Sequence, residues 1–172
     1  MDTEDQLPPT SDFEQIKVFI PGFKGYKEKD RRESSDRMLR EFITAKLKTL
    51  RDHLDEIVKK VASEKRLDLL SDYDDLLRGI KNLLEVSAEA EQNYDDFFAI
   101  DEISDTVLSE IYTLEAGMLA KLALFFEKVE TLHPDPFHLN ESRNLEKKLE
   151  EIEQAFSERD EIMEECRIEE PS

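Results

Sequence analysis

Glycine, proline and cysteine are scarce in this sequence, and each scarcity excludes a class of structure. The chain of 172 residues has only 4 glycines and 6 prolines, which disfavours a sheet protein with many tight hairpins. Its single cysteine, Cys166, cannot form an internal disulfide, and no cluster of cysteine and histidine has the spacing of a zinc site. The lone thiol fits a reducing compartment, and we therefore expect a cytoplasmic protein.

Long apolar runs and a basic leader are lacking as well. The first twelve residues are acidic and contain a proline pair, unlike the basic and apolar regions of a signal peptide. The most apolar stretch, residues 118–126, is interrupted by Lys121 and is far shorter than the roughly 20 residues that span a bilayer. An integral membrane protein is therefore not expected.

Charge is abundant and unevenly distributed. The net charge of -19 opposes binding to nucleic acid, because one polyanion gains nothing by approaching another. Residues 1–66 hold 15 basic against 14 acidic side chains, whereas residues 67–172 hold 9 against 29. The front of the chain is close to neutral and the rest carries the acidity.

Apolar residues, at 38%, are too frequent and too regularly spaced for a disordered chain.

Apolar residues three or four positions apart predict four long helices. The first is expected to begin at a cap formed by Ser34 or Ser35 and to end near Ser63. The second is expected from 69 or 70 to about 90. The third has apolar positions from 108 to 132 and ends before Pro134 and Pro136, and the fourth follows a loop at 133–140 and has apolar positions from 145 to 166. A connector at 92–101 offers Phe97 and Phe98 to plug the end of the bundle.

The last predicted helix has a coiled-coil seam with apolar residues alternately four and three positions apart. Its members are Leu145, Leu149, Ile152, Phe156, Met163 and Cys166. Arg159 stands at the one seam position that breaks the pattern. We expect Arg159 to reach solvent or to mark where the helix leaves the bundle and protrudes as a coiled-coil partner.

These elements predict an all-α fold, an up-and-down antiparallel bundle of about four long helices. The expected organisation is a flexible acidic tail at 1–12, an apolar and basic segment at 13–33 that packs on the bundle, the bundle itself at 34–166, and a short tail at 167–172.

Residues 21–32 differ from the rest of the chain in composition. The segment PGFKGYKEKDRR holds five basic residues against two acidic ones and two of the four glycines. Aromatic and cationic side chains together can grip an anionic surface, stack on a base or dock onto carboxylates. The candidates for partner binding are Phe23, Lys24, Tyr26, Lys27, Lys29, Arg31 and Arg32. The alternative is intramolecular, with the segment lying on the protein's own acidic helices.

Two blocks, GFKGYKEKDRRESSDRMLREFI at 22–43 and DDFFAIDEISDTVLSEIYTLEAGML at 95–119, resemble an uncharacterised group of prokaryotic helical proteins. That group has a Gly-Tyr-x-x-Lys-Glu-x-Arg-Arg run before a long helix and a later element that begins with Phe-Phe. This sequence departs slightly from that pattern, because Lys29-Asp30 stands within the charged run and Ser34-Ser35 follows it. The resemblance covers about a quarter of the chain and implies a helical fold with a shared N-terminal element, without conferring catalytic residues.

No Gly-x-Ser-x-Gly, P-loop or dinucleotide motif occurs, so no catalytic or cofactor-binding residue is predicted. We therefore expect a non-enzymatic scaffold or adaptor, without a cofactor, that acts by protein–protein interaction or self-association. One alternative is a ferritin-like carboxylate-metal bundle with Glu130 and His133 as ligands. That pair is the only Glu-x-x-His in the chain and lies at a helix end rather than mid-bundle. The other is peripheral contact with an anionic membrane through residues 19–32, which the net charge opposes.

Overall fold

The computed structural model describes residues 11–88, 95–132 and 139–166, and over these residues it is helical without a β-strand. The helices are α1 (Asp12–Phe19), α2 (Arg32–Ser63), α3 (Leu67–Ala88), α4 (Asp95–Ala99), α5 (Asp105–Glu130) and α6 (Leu139–Glu165), and a 3₁₀ turn at Lys29–Arg31 leads into α2. The prediction of an all-α bundle is confirmed. The up-and-down antiparallel order of the helices stays a prediction.

The four long helices α2, α3, α5 and α6 form the body of the bundle. Both α2 and α6 pack on α3 and on α5. Each helix turns an apolar stripe inward because its large apolar residues recur every three or four positions. Side chains such as Leu47, Leu76, Leu122 and Ile152 meet in the core and are at most 2% exposed. The short helix α1 lies against α5, so the N-terminal residues are added to the outside of this group.

The start of α2 differs from the prediction. A cap at Ser34 or Ser35 is wrong, because α2 begins at Arg32 and its N-cap residue, Arg31, makes no side-chain capping bond. The Ser35 hydroxyl donates to the carbonyl of Gly25 at 2.8 Å, and the Ser34 hydroxyl donates to the carbonyl of Arg31 at 3.1 Å. The physical reason is the preceding 3₁₀ turn, which carries the chain straight into the helix and leaves both serines inside it.

Two other helix boundaries lie close to the predicted ones, whereas α6 begins at Leu139, inside the predicted loop at 133–140. Helix α2 ends at Ser63, where the prediction placed its end. Helix α3 begins at Leu67, two residues before the first apolar position of its predicted stripe. The predicted end near residue 90 lies outside the described residues, as do Pro134 and Pro136.

Part of the expected connector at 92–101 is the short helix α4. Phe97 on this helix is fully buried and Phe98 is half-buried. The Phe97 ring lies edge-on to the Tyr26 ring, with 5.6 Å between their centroids. Phe97 therefore closes the core beside the N-terminal segment, while residues 92–94 lie outside the described part of the chain.

The apolar seam of α6 faces the protein's own core. Its members Leu145, Leu149, Ile152, Phe156 and Met163 are at most 4% exposed. Arg159, at the break in the seam, is 0% exposed. The expectation that Arg159 reaches solvent or marks a protruding helix is wrong, because acidic side chains from other helices pair with it in the interior.

Helix α1 begins slightly inside the predicted acidic tail. The Ser11 hydroxyl caps it by accepting a hydrogen bond from the backbone N–H of Glu14 at 3.3 Å. Ile16 within α1, and Ile20 and Phe23 after it, are at most 5% exposed. These apolar side chains anchor the N-terminal residues to the bundle. Residues 1–10 and 167–172, which contain the rest of the two predicted tails, lie outside the described residues.

Candidate functional site

Residues 20–31 form an irregular segment between α1 and α2, and this N-terminal segment lies against α5. Two glycines permit its path: Gly22 has a φ of 93° and Gly25 a φ of 77°, conformations that residues with a side chain rarely adopt. A Cβ atom on Gly25 would lie 2.5 Å from the Tyr112 hydroxyl and 2.7 Å from the Phe13 ring. The close approach to α5 therefore depends on glycine at this position.

Tyr26 is the residue by which the N-terminal segment enters the core. It is fully buried, and its ring stacks on Tyr112 with 5.8 Å between centroids. The backbone N–H of Tyr26 donates to the Tyr112 hydroxyl at 2.8 Å. Its own hydroxyl donates a short hydrogen bond to Glu115 and accepts one from Arg159 at 3.1 Å.

Five buried polar side chains meet where the N-terminal segment, α2, α5 and α6 come together. This buried charge cluster consists of Tyr26, Asp36, Arg40, Glu115 and Arg159, none of which is more than 6% exposed. The Arg159 guanidinium donates to Glu115 at 2.8 Å and to Asp36. Arg40 binds the other Asp36 oxygen at 3.2 Å. Two cations thus face two carboxylates, so the cluster is close to neutral.

One further carboxylate closes the cluster at its edge. The side chain of Asp160 is 19% exposed and accepts from Arg159 at 3.1 Å, and it lies 3.6 Å from Arg40. Both cations are therefore shared between more than one acid. A network of this kind is sensitive to the loss of a single member, because each remaining charge is held away from water.

Burial and neighbouring charges shift the pKa of three members of the cluster, Glu115, Tyr26 and Arg159. Burial raises the pKa of Glu115, and the charge of Arg159 and the hydrogen bond from Tyr26 offset part of the rise. It also raises the pKa of the Tyr26 hydroxyl well above its usual range, so this group stays protonated and donates to Glu115. Burial disfavours the charged Arg159 guanidinium, but its anionic neighbours outweigh this effect and hold its pKa well above its usual value. The second Glu115 oxygen, Oε2, has no hydrogen-bond partner among the described residues.

Arg32 fixes the other side of the N-terminal segment. It is fully buried, and its guanidinium donates to the backbone carbonyls of Tyr26 at 2.8 Å, of Phe97 at 3.1 Å and of Ile100. These carbonyls belong to two stretches of chain that are far apart in sequence. A single side chain with five donors therefore joins the N-terminal segment to the end of α4.

Four cations of the segment remain at the surface, namely Lys24, Lys27, Lys29 and Arg31. Lys29 pairs with Asp101 at 3.2 Å and Arg31 lies 3.9 Å from Asp30. Lys24 and Lys27 have no ion pair within the described ranges. The side chains of this surface are exposed, while the backbone that carries them is held by Tyr26 and Arg32.

A cleft of about 690 Å³ lies between the N-terminal segment and the first turns of α1 and α5. The rings of Phe13 and Tyr112, 5.1 Å apart, lie side by side in its lining. Its charged residues are Lys24, Lys27, Glu28 and Arg31 from the segment, Asp12 from α1 and Asp105 from α5. Three cations and three carboxylates therefore share one cleft around an aromatic surface.

The structure separates the sequence-predicted site residues into two groups. Phe23, Tyr26 and Arg32 belong to the interior and are at most 1% exposed. Lys24, Lys27, Lys29 and Arg31 are exposed, and all of these except Lys29 line the cleft. The intramolecular alternative thus describes the first group. The groups that Tyr26 and Arg32 bind differ from the expected ones, because they are buried polar groups and not an acidic surface of the helices.

The sequence analysis missed four members of the buried charge cluster, Asp36, Arg40, Glu115 and Arg159. One signal was present: Asp36 and Arg40 are four residues apart and continue the apolar stripe of α2 toward its start, in phase with Ile43. Charged residues at stripe positions indicate a buried ion pair when opposite signs fall together. Glu115, within a mainly apolar helix, gave a similar signal.

Only one of the two metal candidates falls within the described residues. Glu130 is exposed at the end of α5, and His133 lies outside the described residues. Across residues 11–88, 95–132 and 139–166, no group of three or more histidine, cysteine or acidic side chains is placed to hold a metal ion. Among the same residues, no helix combines the length and the apolar character needed to cross a membrane.

Comparison with protein-family models, with curated proteins and with solved structures gives no match to this chain.

Proposed function

We propose that this protein is a non-enzymatic adaptor that binds a protein partner in the cleft between the N-terminal segment, α1 and α5. The observation that carries the proposal is the combination of a fixed backbone with exposed side chains. Tyr26 and Arg32 hold the segment from inside, while Lys24, Lys27 and Arg31 line the cleft. A surface that is already ordered loses little conformational entropy when a partner docks.

The charges of the cleft favour a protein over a polyanion. Lys24, Lys27 and Arg31 are matched in number by Asp12, Glu28 and Asp105, so the lining has almost no net charge. A nucleic acid or an anionic membrane gains affinity from net positive charge, and this cleft offers none. A polypeptide can present acidic and basic side chains together and place an apolar group against Phe13 and Tyr112, as interface aromatics do.

The test is partner capture with matched charge variants. The triple variant Lys24→Glu/Lys27→Glu/Arg31→Glu reverses the cationic wall of the cleft. The control, Lys59→Glu/Lys60→Glu/Lys147→Glu, makes the same change in net charge at exposed positions outside the cleft. Each purified protein is cross-linked in an extract of the source cells, and the cross-linked residues are mapped by mass spectrometry.

We expect a partner to be cross-linked at the cleft of the wild type and of the control, and to be lost from the cleft variant. Loss from both triple variants would mean that net charge alone governs binding. Retention by the cleft variant would place the partner on another surface. Either of these two results contradicts the proposal.

A further inference from the structure

Residues 1–10 join the described part of the chain at the partner cleft. Ser11, the N-cap residue of α1, lines this cleft, and so does Phe13 two residues later. The Phe13 ring lies 2.7 Å from the place that a Cβ atom on Gly25 would take, and Lys24 is the residue before Gly25. The chain that precedes Ser11 therefore starts beside the cationic wall of the cleft.

The charges of residues 1–10 are opposite in sign to those of the rest of the front of the chain. Asp2, Glu4 and Asp5 are acidic, and this stretch has no lysine or arginine. Residues 11–66 hold 15 basic against 11 acidic side chains. The near neutrality of residues 1–66 thus comes from three carboxylates that lie within ten positions of the cleft.

The carboxylates that line the cleft leave its cationic wall unbalanced. Asp12 accepts a hydrogen bond from a threonine hydroxyl of α5 at 2.7 Å. Asp12 and Asp105 also stand in the first turns of α1 and α5, where the positive end of the helix dipole offsets a negative charge. Glu28 is the one lining carboxylate on the same segment as Lys24 and Lys27. A further carboxylate can therefore bind at this wall.

The order of residues in 1–10 suits the surface that follows them. Residues 6–10, QLPPT, are uncharged and stand nearest to α1. Leu7 and the two prolines can pack on Phe13 and Tyr112, because proline-rich segments dock onto aromatic surfaces. Five residues in an extended, proline-type conformation span about 16 Å, so the acidic residues before them can reach the cationic wall.

We propose that residues 1–10 fold back into the partner cleft, with their carboxylates on Lys24 and Lys27, and that a protein partner must displace them to bind. The displacement rests on the proposed function, whereas the occupancy of the cleft does not. Exposed ion pairs are weak, so the contact is reversible. Its tether holds the segment at an effective concentration on the order of millimolar, which allows a weak contact to compete.

Zero-length cross-linking of the purified full chain tests the occupancy. A carbodiimide joins a carboxylate to an amine where the two are in contact, and mass spectrometry locates the bond. A mixture of unlabelled and isotope-labelled protein separates links within one chain from links between chains. We expect links within one chain from residues 1–10 to Lys24 or Lys27, but not to Lys59 or Lys60, which are exposed outside the cleft.

The rate of lysine acetylation measures the same contact in charge variants. The first variant neutralises the three carboxylates of residues 1–10: Asp2→Asn/Glu4→Gln/Asp5→Asn. The control neutralises three exposed carboxylates outside the cleft: Asp52→Asn/Glu56→Gln/Asp74→Asn. We expect Lys24 and Lys27 to react about two- to fivefold faster in the first variant, as the loss of an exposed ion pair allows, and at the wild-type rate in the control. The first variant should also capture more partner at the cleft from the cell extract than wild type does.

Links from residues 1–10 to Lys59 and Lys60 as often as to Lys24 and Lys27 overturn the proposal. So do equal acetylation rates in the three proteins, or a first variant that captures no more cleft partner than the wild type does. If no variant captures a protein at the cleft, the proposed function fails, and the cross-links still decide whether residues 1–10 occupy it.

Discussion

Replacing Arg159 with leucine tests the buried charge cluster most directly. Leucine fills similar space and suits the seam of α6, but it removes the cation that pairs with Glu115 at 2.8 Å. Asp36 keeps Arg40 as a partner at 3.2 Å. Glu115 is left with only the Tyr26 hydroxyl, in a site that is 0% exposed. The cost of the substitution therefore depends mainly on one stranded carboxylate.

That cost can be worked out from the two ways in which Glu115 can respond. Removing one partner of a buried ion pair costs about 3–5 kcal/mol when the remaining charge stays ionised. The carboxyl can instead take up a proton. At pH 7, that step costs about 1.4 kcal/mol for each pH unit above its ordinary pKa of 4.5, or about 3.4 kcal/mol. We expect Arg159→Leu to lower the free energy of unfolding by about 3 kcal/mol at pH 7, and by about 1 kcal/mol at pH 5.

Urea unfolding followed by circular dichroism gives both values. Arg78→Leu is the control, because the Arg78 side chain is 66% exposed and its pairs with Asp74 and Asp75 lie at the surface. Such pairs contribute at most about 1 kcal/mol. The double variant Arg159→Leu/Glu115→Leu should recover most of the loss, because no unpaired carboxylate remains. A cost for Arg159→Leu that equals that of Arg78→Leu, or that is the same at pH 5 and pH 7, refutes the reasoning.

Three further predictions use the same unfolding assay. Gly25→Ala should cost about 2 kcal/mol or more, because of its φ of 77° and the contact with Tyr112, whereas Gly117→Ala, in open helical surroundings, should stabilise by up to about 1 kcal/mol; equal effects would contradict this. Wild type should lose stability relative to Glu115→Gln as pH rises above about 4.5, because the raised pKa of Glu115 makes the folded state bind the proton more tightly than the unfolded state. A difference in unfolding free energy that does not change with pH would contradict this prediction. Arg32→Lys should cost about 2 kcal/mol, since an ammonium cannot serve the carbonyls of Tyr26 and Phe97 together, whereas Arg31→Lys should change stability by less than about 0.5 kcal/mol.

The helices could be predicted from the sequence because their signal is local. Apolar residues three or four positions apart place the stripe of α2, and Ser63 at its end, without knowledge of any other helix. The partners of Arg159 are not local: Glu115 and Asp36 are 44 and 123 residues away. In a chain with 39% charged residues, an arginine within a helix resembles a solvated side chain. Only its position in the apolar seam of α6 distinguished Arg159 from a solvated arginine.

The cationic segment shows the same limit at closer range. Arg31 and Arg32 are adjacent and chemically identical, yet the first is exposed and the second is fully buried. The difference follows from helical phase, because Arg32 lies seven residues before Leu39 and so shares its stripe. From composition alone, Arg31 and Arg32 belong to one basic patch. The phase of α2 would have separated them, but the predicted cap at Ser34 or Ser35 placed Arg32 outside the helix.

The polar start of α2 has a physical cause in the segment that it covers. Residues 20–28 are not in a regular helix, so the backbone carbonyls of Gly25 and Tyr26 have no partner within their own segment, and burial without one would cost free energy. The Ser35 hydroxyl and the Arg32 guanidinium bind them at 2.8 Å. Apolar residues at these positions could not do so. Arg32 and Ser35 at the start of α2 thus satisfy a buried irregular chain, and this chain in turn places Lys24 and Lys27 along the cleft.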